Sequence, residues 1–497
     1  MIHRRTALTA AAAATTLAGL APAAWAQGKK DSLVLAMTLE PPGLDPTAGA
    51  ASAIAEVVQY NVLETLTKIR ADSTIAPLLA TSWTVTPDNK TWAFTLRPGV
   101  KFHNGEPFNA ATVKFAFERA AAADSTNKDK AVFANIVNIR ATDDLTVVVT
   151  LKNTNPDFLF QIGQATAVIV EPRSVASNNT QPVGTGPFKL ESWQKGTAIT
   201  LVKWDGYREA AAIKLRRATF RFINDNAAQV AALLAGDIDG MPRFGAVQAI
   251  AQLRADKRFV VEVGSTAGKG ILAINNKKKP LDDVRVRRAI SHAIDRKAFI
   301  DGVLEGLAKP IGSHAAPTDL GYVDLTGLYP HDPDKARALL KEAGITGPLN
   351  LTLTLPPPSY ARKGGEVVAA QLAKVGITAK IENVEWAQWL SGAFKGNFDL
   401  TIINHVEPLD YVQYANPEYY WGYNSAAFNA LVKKRAEAGR GKAQVALYAD
   451  IQRQIANDAV NAFIFNPSQV SVARKGLRGL WANSPVAAND LSQVSWQ

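Results

Sequence analysis

DNKTWAFTLRPGVKF (residues 88–102) opens on a polar turn, Asp88-Asn89-Lys90, and continues as a strict alternation. Trp92, Phe94 and Leu96 share one face while Thr91, Thr95 and Arg97 share the other, which is the period of a strand buried on one side. Further along, the period becomes helical. Asp283 reads as an N-cap, after which Val286, Ala289, Ile290, Ala293 and Ile294 fall on one apolar stripe. HDPDKARALLKEAG (331–344) predicts a second helix, with Asp332 as cap, Pro333 in the first turn, Ala336, Leu339, Leu340 and Ala343 as its stripe, and Gly344 just past its end. A third is predicted from about Glu366 to Val375, stopped by Gly376 and followed by the alternating ITAKIENV (377–384). Helices and strands thus interleave through 271–405, which predicts an α/β architecture.

Residues 1–26 carry a basic start, His3-Arg4-Arg5, an Ala/Leu/Thr run from Ala7 to Leu20, and Ala24-Trp25-Ala26 with small residues where a signal peptidase inspects. This is the pattern of an export signal cleaved after Ala26. The paired arginines before Thr6-Ala7-Leu8 resemble a twin-arginine signal, with the general secretory route as the alternative. No stretch supplies the ~18 consecutive apolar residues of a membrane span. The sequence has no cysteine, which excludes disulfides, thiolate metal sites, a cysteine nucleophile and a lipidated cysteine. A periplasmic protein without a lipid anchor is expected.

The formal net charge is +11. Basic residues cluster only at Lys277-Lys278-Lys279 and in VRVRR (284–288), which read as a solvated turn and a solvated helix face rather than a nucleic-acid surface. At 497 residues the chain is too long for one core, so two or three domains are expected.

Chemistry-bearing motifs fail on inspection. GSTAGKG (264–270) approaches a phosphate loop, but Val263 stands where its first glycine belongs and Gly270 replaces the Ser or Thr. It reads as a flexible connection. There is no G-x-S-x-G elbow and no H-E-x-x-H, and His103 and His405 read as structural, so no metal or cofactor is predicted. Because triads assemble from distant residues, a secreted hydrolase is the rival of a different class.

One stretch does suggest a ligand. YVQYANPEYYWGYNS (411–425) carries five of the chain's 11 tyrosines plus Trp421, with Glu407 and Asp410 just upstream. Amphipathic rings beside carboxylates suit a solute with an apolar body and a positive end.

Several segments together resemble the extracytoplasmic solute-binding proteins of peptide-type ABC importers, the dipeptide, oligopeptide and nickel group of solute-binding protein family 5. They are EPPGLDP (40–46), IAPLLATSWTVTPDNKTWAFTLRPGVKFHNGEPFNAATVKFAFERA (75–120), PVGTGPFKLESWQKG (182–196), GDIDG (236–240), NNKKKPLDDVRVRRAISHAIDRKAFI (275–300), YPHDPDKARALLKEAGI (329–345) and FDLTI (398–402), in the family's order. NAATV (109–113), WDGY (204–207) and above all the loop HVEPLDYVQYANPEYYWGY (405–423) depart from the family's pattern.

The resemblance implies a bilobal type II periplasmic-binding-protein fold. Lobe I would comprise 27–270 plus 481–497, with an extra subdomain at about 60–180, and lobe II would comprise 271–480. Two hinge crossings are implied, near 268–276 and 478–485. The chain would be a monomeric receptor that closes over a peptide or amino-acid-like cation and delivers it to an ABC permease with ATPase subunits, itself binding neither nucleotide nor nucleic acid. A nickel or haem chelate, an opine or a sugar stays open as the solute.

In that reading Asp410 pairs with the ligand's ammonium and Glu407 stands second. Tyr411, Tyr414, Tyr420 and Trp421 are pocket candidates, and His405 lies beside the acidic loop. Trp386 and Trp389, at i and i+3, share a helix face and default to core. Arg362 in PPPSYARKGG is the positional candidate for a ligand carboxylate. Asp410→Asn is then expected to weaken binding by about a hundredfold or more and to leave stability nearly unchanged.

Overall fold

The turn at Asp88-Asn89-Lys90 joins two antiparallel strands, Ala80–Val85 and Thr91–Leu96, in the computed structural model, which describes residues 30–438 and 441–497. The export-signal reading lies outside the described residues. Trp92, Phe94 and Leu96 are buried as their alternation requires, each large side chain contributing about 2 kcal/mol of apolar burial. Thr146–Leu151 and Ile136–Asp143 complete a four-stranded antiparallel sheet. The helix Ala110–Ala121 packs on it, started by Asn109, whose side chain accepts from the Thr112 N–H.

A second, 12-stranded sheet runs through the unit Asp31–Gln497. From one edge ten of its strands follow in the order Ile377–Asn383, Leu349–Leu355, Leu400–His405, Lys269–Ile274, Asn461–Arg474, Gly240–Met241, Ser32–Met37, Arg217–Phe222, Ala198–Lys203 and Phe188–Gln194, while Phe259–Ser265 and Ala308–Pro310 pair with Asn461–Arg474 off this path. The 14-residue strand Asn461–Arg474 is common to both halves. Its first part pairs with Lys269–Ile274 and its second with Phe259–Ser265. The chain therefore passes from one half to the other at 266–268 and at 466–467. There Asn466 Nδ2 donates to the carbonyls of Thr266 (2.8 Å) and Gly268 (2.7 Å), and Thr266 Oγ1 donates to the Pro467 carbonyl (2.9 Å).

The predicted helices form on their capping residues. Asp283 accepts from Arg285 N at the start of Val284–Ala293, and Asp332 accepts from Lys335 N at the start of Pro333–Glu342. The third helix begins earlier than its apolar pattern suggests, spanning Ser359–Ala373. Gly364 and Gly365 lie inside it because a Cβ at either would meet Phe299 Cζ at 2.6 Å or Leu355 Cδ1 at 2.2 Å. They serve close packing.

GSTAGKG is mostly strand rather than a flexible connection. Phe259–Ser265 takes its start and Lys269–Ile274 its end, and a Cβ on Gly264 would lie 2.0 Å from the Ala482 carbonyl oxygen. Among the described residues no helix is long and apolar enough to cross a membrane.

Candidate functional site

The strand Leu400–His405 delivers the chain into the acidic loop, and the loop turns at Leu409, a non-glycine residue at φ 55°. That turn sends Asp410 inward at the head of a short 3₁₀ segment, Asp410–Ala415. Asp410 Oδ1 receives Lys269 Nζ at 2.6 Å and His314 Nε2 at 3.0 Å, and Oδ2 lies 3.2 Å from His405 Nδ1. Lys269 Nζ also donates to the Glu407 carbonyl.

Hydrogen-bond logic assigns the tautomers. A carboxylate only accepts, so His314 donates from Nε2 and accepts at Nδ1 from the Tyr414 hydroxyl (2.9 Å), which itself accepts from Asn461 Nδ2 (2.9 Å). By the same reasoning His405 donates from Nδ1 and accepts at Nε2 from the Tyr420 hydroxyl (2.9 Å).

The electrostatics agree with this wiring. Burial pushes the Asp410 carboxyl up, but His314 and Lys269 outweigh it and hold the group well below the usual carboxylate range. Burial drives His314 down to about 4 against the pull of Asp410, so the ring is neutral at neutral pH. The charge on Asp410 is therefore matched inside the chain by Lys269. His314, His405 and Asp410 bring three ligand atoms within 4.8 Å of one another, the donor set of a metal centre. The carboxylate of that set is already paired with the Lys269 ammonium.

In front of this network lies a cleft of about 670 Å³, within the usual range of small-molecule sites. Its walls come from both halves of the sheet. Pro46–Gln59, 128–132, 160–166 and Arg243 contribute from one, the loop 404–413 and Tyr419 from the other, and the crossing segments lie between. Of the residues predicted from sequence, Glu407 and Asp410 line it. Glu407 is exposed, and among the described residues its carboxylate accepts only from the neighbouring Val406 N–H, at Oε2.

The aromatic candidates sit elsewhere. Tyr411, Tyr414, Tyr420 and Trp421 are buried in an aromatic core with Trp389, Phe463 and Tyr448, Trp421 stacking on Tyr414 at 4.2 Å between centroids. Trp389 is buried and donates from Nε1 to Thr401 Oγ1, while Trp386 is exposed. Arg362 pairs with Glu385 near the surface and does not line the cleft, and His405 stands behind Asp410. The sequence reading missed Lys269, His314 and Arg243. Lys269 had one signal, its place inside the failed phosphate-loop motif.

A family model described as bacterial extracellular solute-binding proteins, family 5 middle, matches residues 74–427. The chain is 32% identical over 382 residues to the glutathione-binding protein GsiB of Pectobacterium atrosepticum, covering 76% of this chain and 73% of that one. It is 30% identical over 416 residues to the dipeptide-binding protein of Escherichia coli K12, covering 77% and 76%. Among solved structures it resembles the periplasmic binding protein DppA of Helicobacter pylori in complex with the peptide STSA, with TM-score 0.75, 27% identity, and 94% and 98% of the two chains covered.

Proposed function

Since this chain belongs to family 5 of the bacterial extracellular solute-binding proteins, we propose that it captures a small peptide-like solute in the 670 Å³ cleft and hands it to an ABC import permease. Its fold is that of the periplasmic binding proteins. The observation that carries the reading is the exposed Glu407 carboxylate in a cleft built from both halves of one sheet. Asp410 is already matched by Lys269, so the solute's ammonium pairs with Glu407. The relatives named for glutathione and dipeptides support a ligand of this class.

The same reading makes the chain a monomeric carrier exported by its N-terminal signal, with a membrane permease and its ATPase subunits as partners. Calorimetry and melting with dipeptides, tripeptides and glutathione test it. Stabilisation by at least one of these, lost in Glu407→Gln, is expected. Stabilisation only by a sugar or a metal chelate would overturn it.

A further inference from the structure

Deepening the reading above, on which it rests, we infer that Arg243 receives a carboxylate of the solute and makes the receptor selective for it. Arg243 follows the short strand Gly240–Met241 and lines the cleft. Two side chains from different elements hold its guanidinium. Nε lies 3.1 Å from Glu56 Oε1, on the helix Ser52–Val58, and Nη1 lies 3.5 Å from Gln469 Oε1, on the strand Asn461–Arg474. Among the described residues Nη2 has no hydrogen-bond partner.

The charge inventory points the same way. The cationic side chains lining the cleft are Arg243 and Lys128, and Lys128 is exposed. Two of the anionic ones face a cation, and a third accepts a hydrogen bond. Asp410 has Lys269, Glu56 has Arg243, and Asp129 accepts from Thr166 Oγ1 at 2.7 Å. A guanidinium held in place through Nε and Nη1 keeps Nη2 as a positioned, charge-assisted donor to one oxygen of a carboxylate. Arg243 thus takes the place that position alone suggested for Arg362.

The test compares alanyl-leucine and trialanine with their C-terminal amides on the full protein by calorimetry. Free acids are expected to bind about ten- to a hundredfold tighter than amides. In Arg243→Met that preference disappears, and in Arg243→Lys part of it returns. Equal binding of acids and amides by the parent protein sinks the assignment and leaves the peptide reading intact, and that comparison needs no variant to fold. An unchanged preference in Arg243→Met sinks it equally. If the parent protein binds none of the four probes but is stabilised by glutathione, this inference fails and the peptide-like reading stands; if glutathione also fails, both fail.

Discussion

Arg435 lays Nη1 and Nη2 on the two carboxylate oxygens of Asp157, at 2.9 and 2.8 Å, across 278 residues of chain. Both side chains are about nine-tenths buried. The Tyr411 hydroxyl completes the group by donating to Asp157 Oδ2 at 3.0 Å. Asp157 precedes the short helix Phe158–Gln161, part of the core around the four-stranded sheet, whereas Arg435 lies on the helix Ala426–Glu437 beside the aromatic core. Asn89 Nδ2 reinforces the contact by donating to the Ala438 carbonyl at the end of that helix (2.8 Å). The contact clasps the two sides of the cleft.

Removing one member of such a buried pair leaves the other charged and unpaired, at a cost of about 3–5 kcal/mol. Arg435→Met should therefore lower the urea midpoint and expand the solute-free protein in small-angle scattering. The double variant Asp157→Asn with Arg435→Met should lose less stability than Arg435→Met alone. An Arg435→Met protein with the parent's midpoint and radius of gyration shows that the clasp holds nothing.

Stability should fall as pH drops from about 6.5 towards 4. Burial drives both His103 and His314 down to about 4 from an ordinary 6.5. In that window the unfolded chain binds protons that the native protein refuses, so each histidine contributes about 1.4 kcal/mol per pH unit, fully present above 6.5 and lost on acidification. His103 has a structural reason to stay neutral, since Nε2 donates to the Gly186 carbonyl (3.0 Å) while Nδ1 accepts from the Gly184 N–H (3.3 Å). Melting temperatures of His103→Gln from pH 4 to 7 should fall less steeply on acidification than the parent's. Parallel curves exclude His103 as a source of the slope.

Local regularities were legible because the signal lies within a few residues. Trp92, Phe94 and Leu96 show their shared face, and Asp283 and Asp332 show where helices begin. The site was legible only in part because its partners meet through sheet register. Lys269 stands opposite His405 in the antiparallel pairing of Lys269–Ile274 with Leu400–His405, and this brings an ammonium to Asp410 across 141 residues. No local pattern encodes that. The tyrosines misled for a related reason. A 3₁₀ segment after a left-handed Leu409 turns Tyr411 and Tyr414 into the core, and aromatic composition is the same whether rings face a solute or one another.

Asp410→Asn should be destabilising, contrary to the expectation for a solvated loop acid. It would leave Lys269, about 1% exposed, without its counter-charge, again on the order of 3–5 kcal/mol. Lys269→Met should be damaging for the converse reason, and the pair Lys269→Met with Asp410→Asn less so than either alone. Glu407→Gln should keep the parent melting temperature and lose peptide binding. A double-mutant cycle in chemical denaturation gives the coupling between Lys269 and Asp410. A coupling near zero means that the ion pair is not formed in solution.

The two crossing segments should act as a hinge, with lobes corresponding to the two halves of the large sheet. The chain passes between those halves at 266–268 and 466–467, and Asn466, fully buried, bonds the two crossings to each other. Gly268 is pressed between them, since a Cβ there would lie 2.7 Å from Pro467 Cγ and 2.9 Å from Asn404 Oδ1. Rotation about two short segments moves each half as a rigid body, so solute binding should reduce the radius of gyration without changing secondary structure. Asn466→Ala deprives two carbonyls of their donor, at about 1–3 kcal/mol, and loosens the crossing without touching the cleft walls. It should widen the distribution of shapes in the solute-free protein while saturating peptide restores the parent's compact form. Scattering curves that superimpose with and without saturating peptide, in parent and variant alike, would mean that the halves do not move.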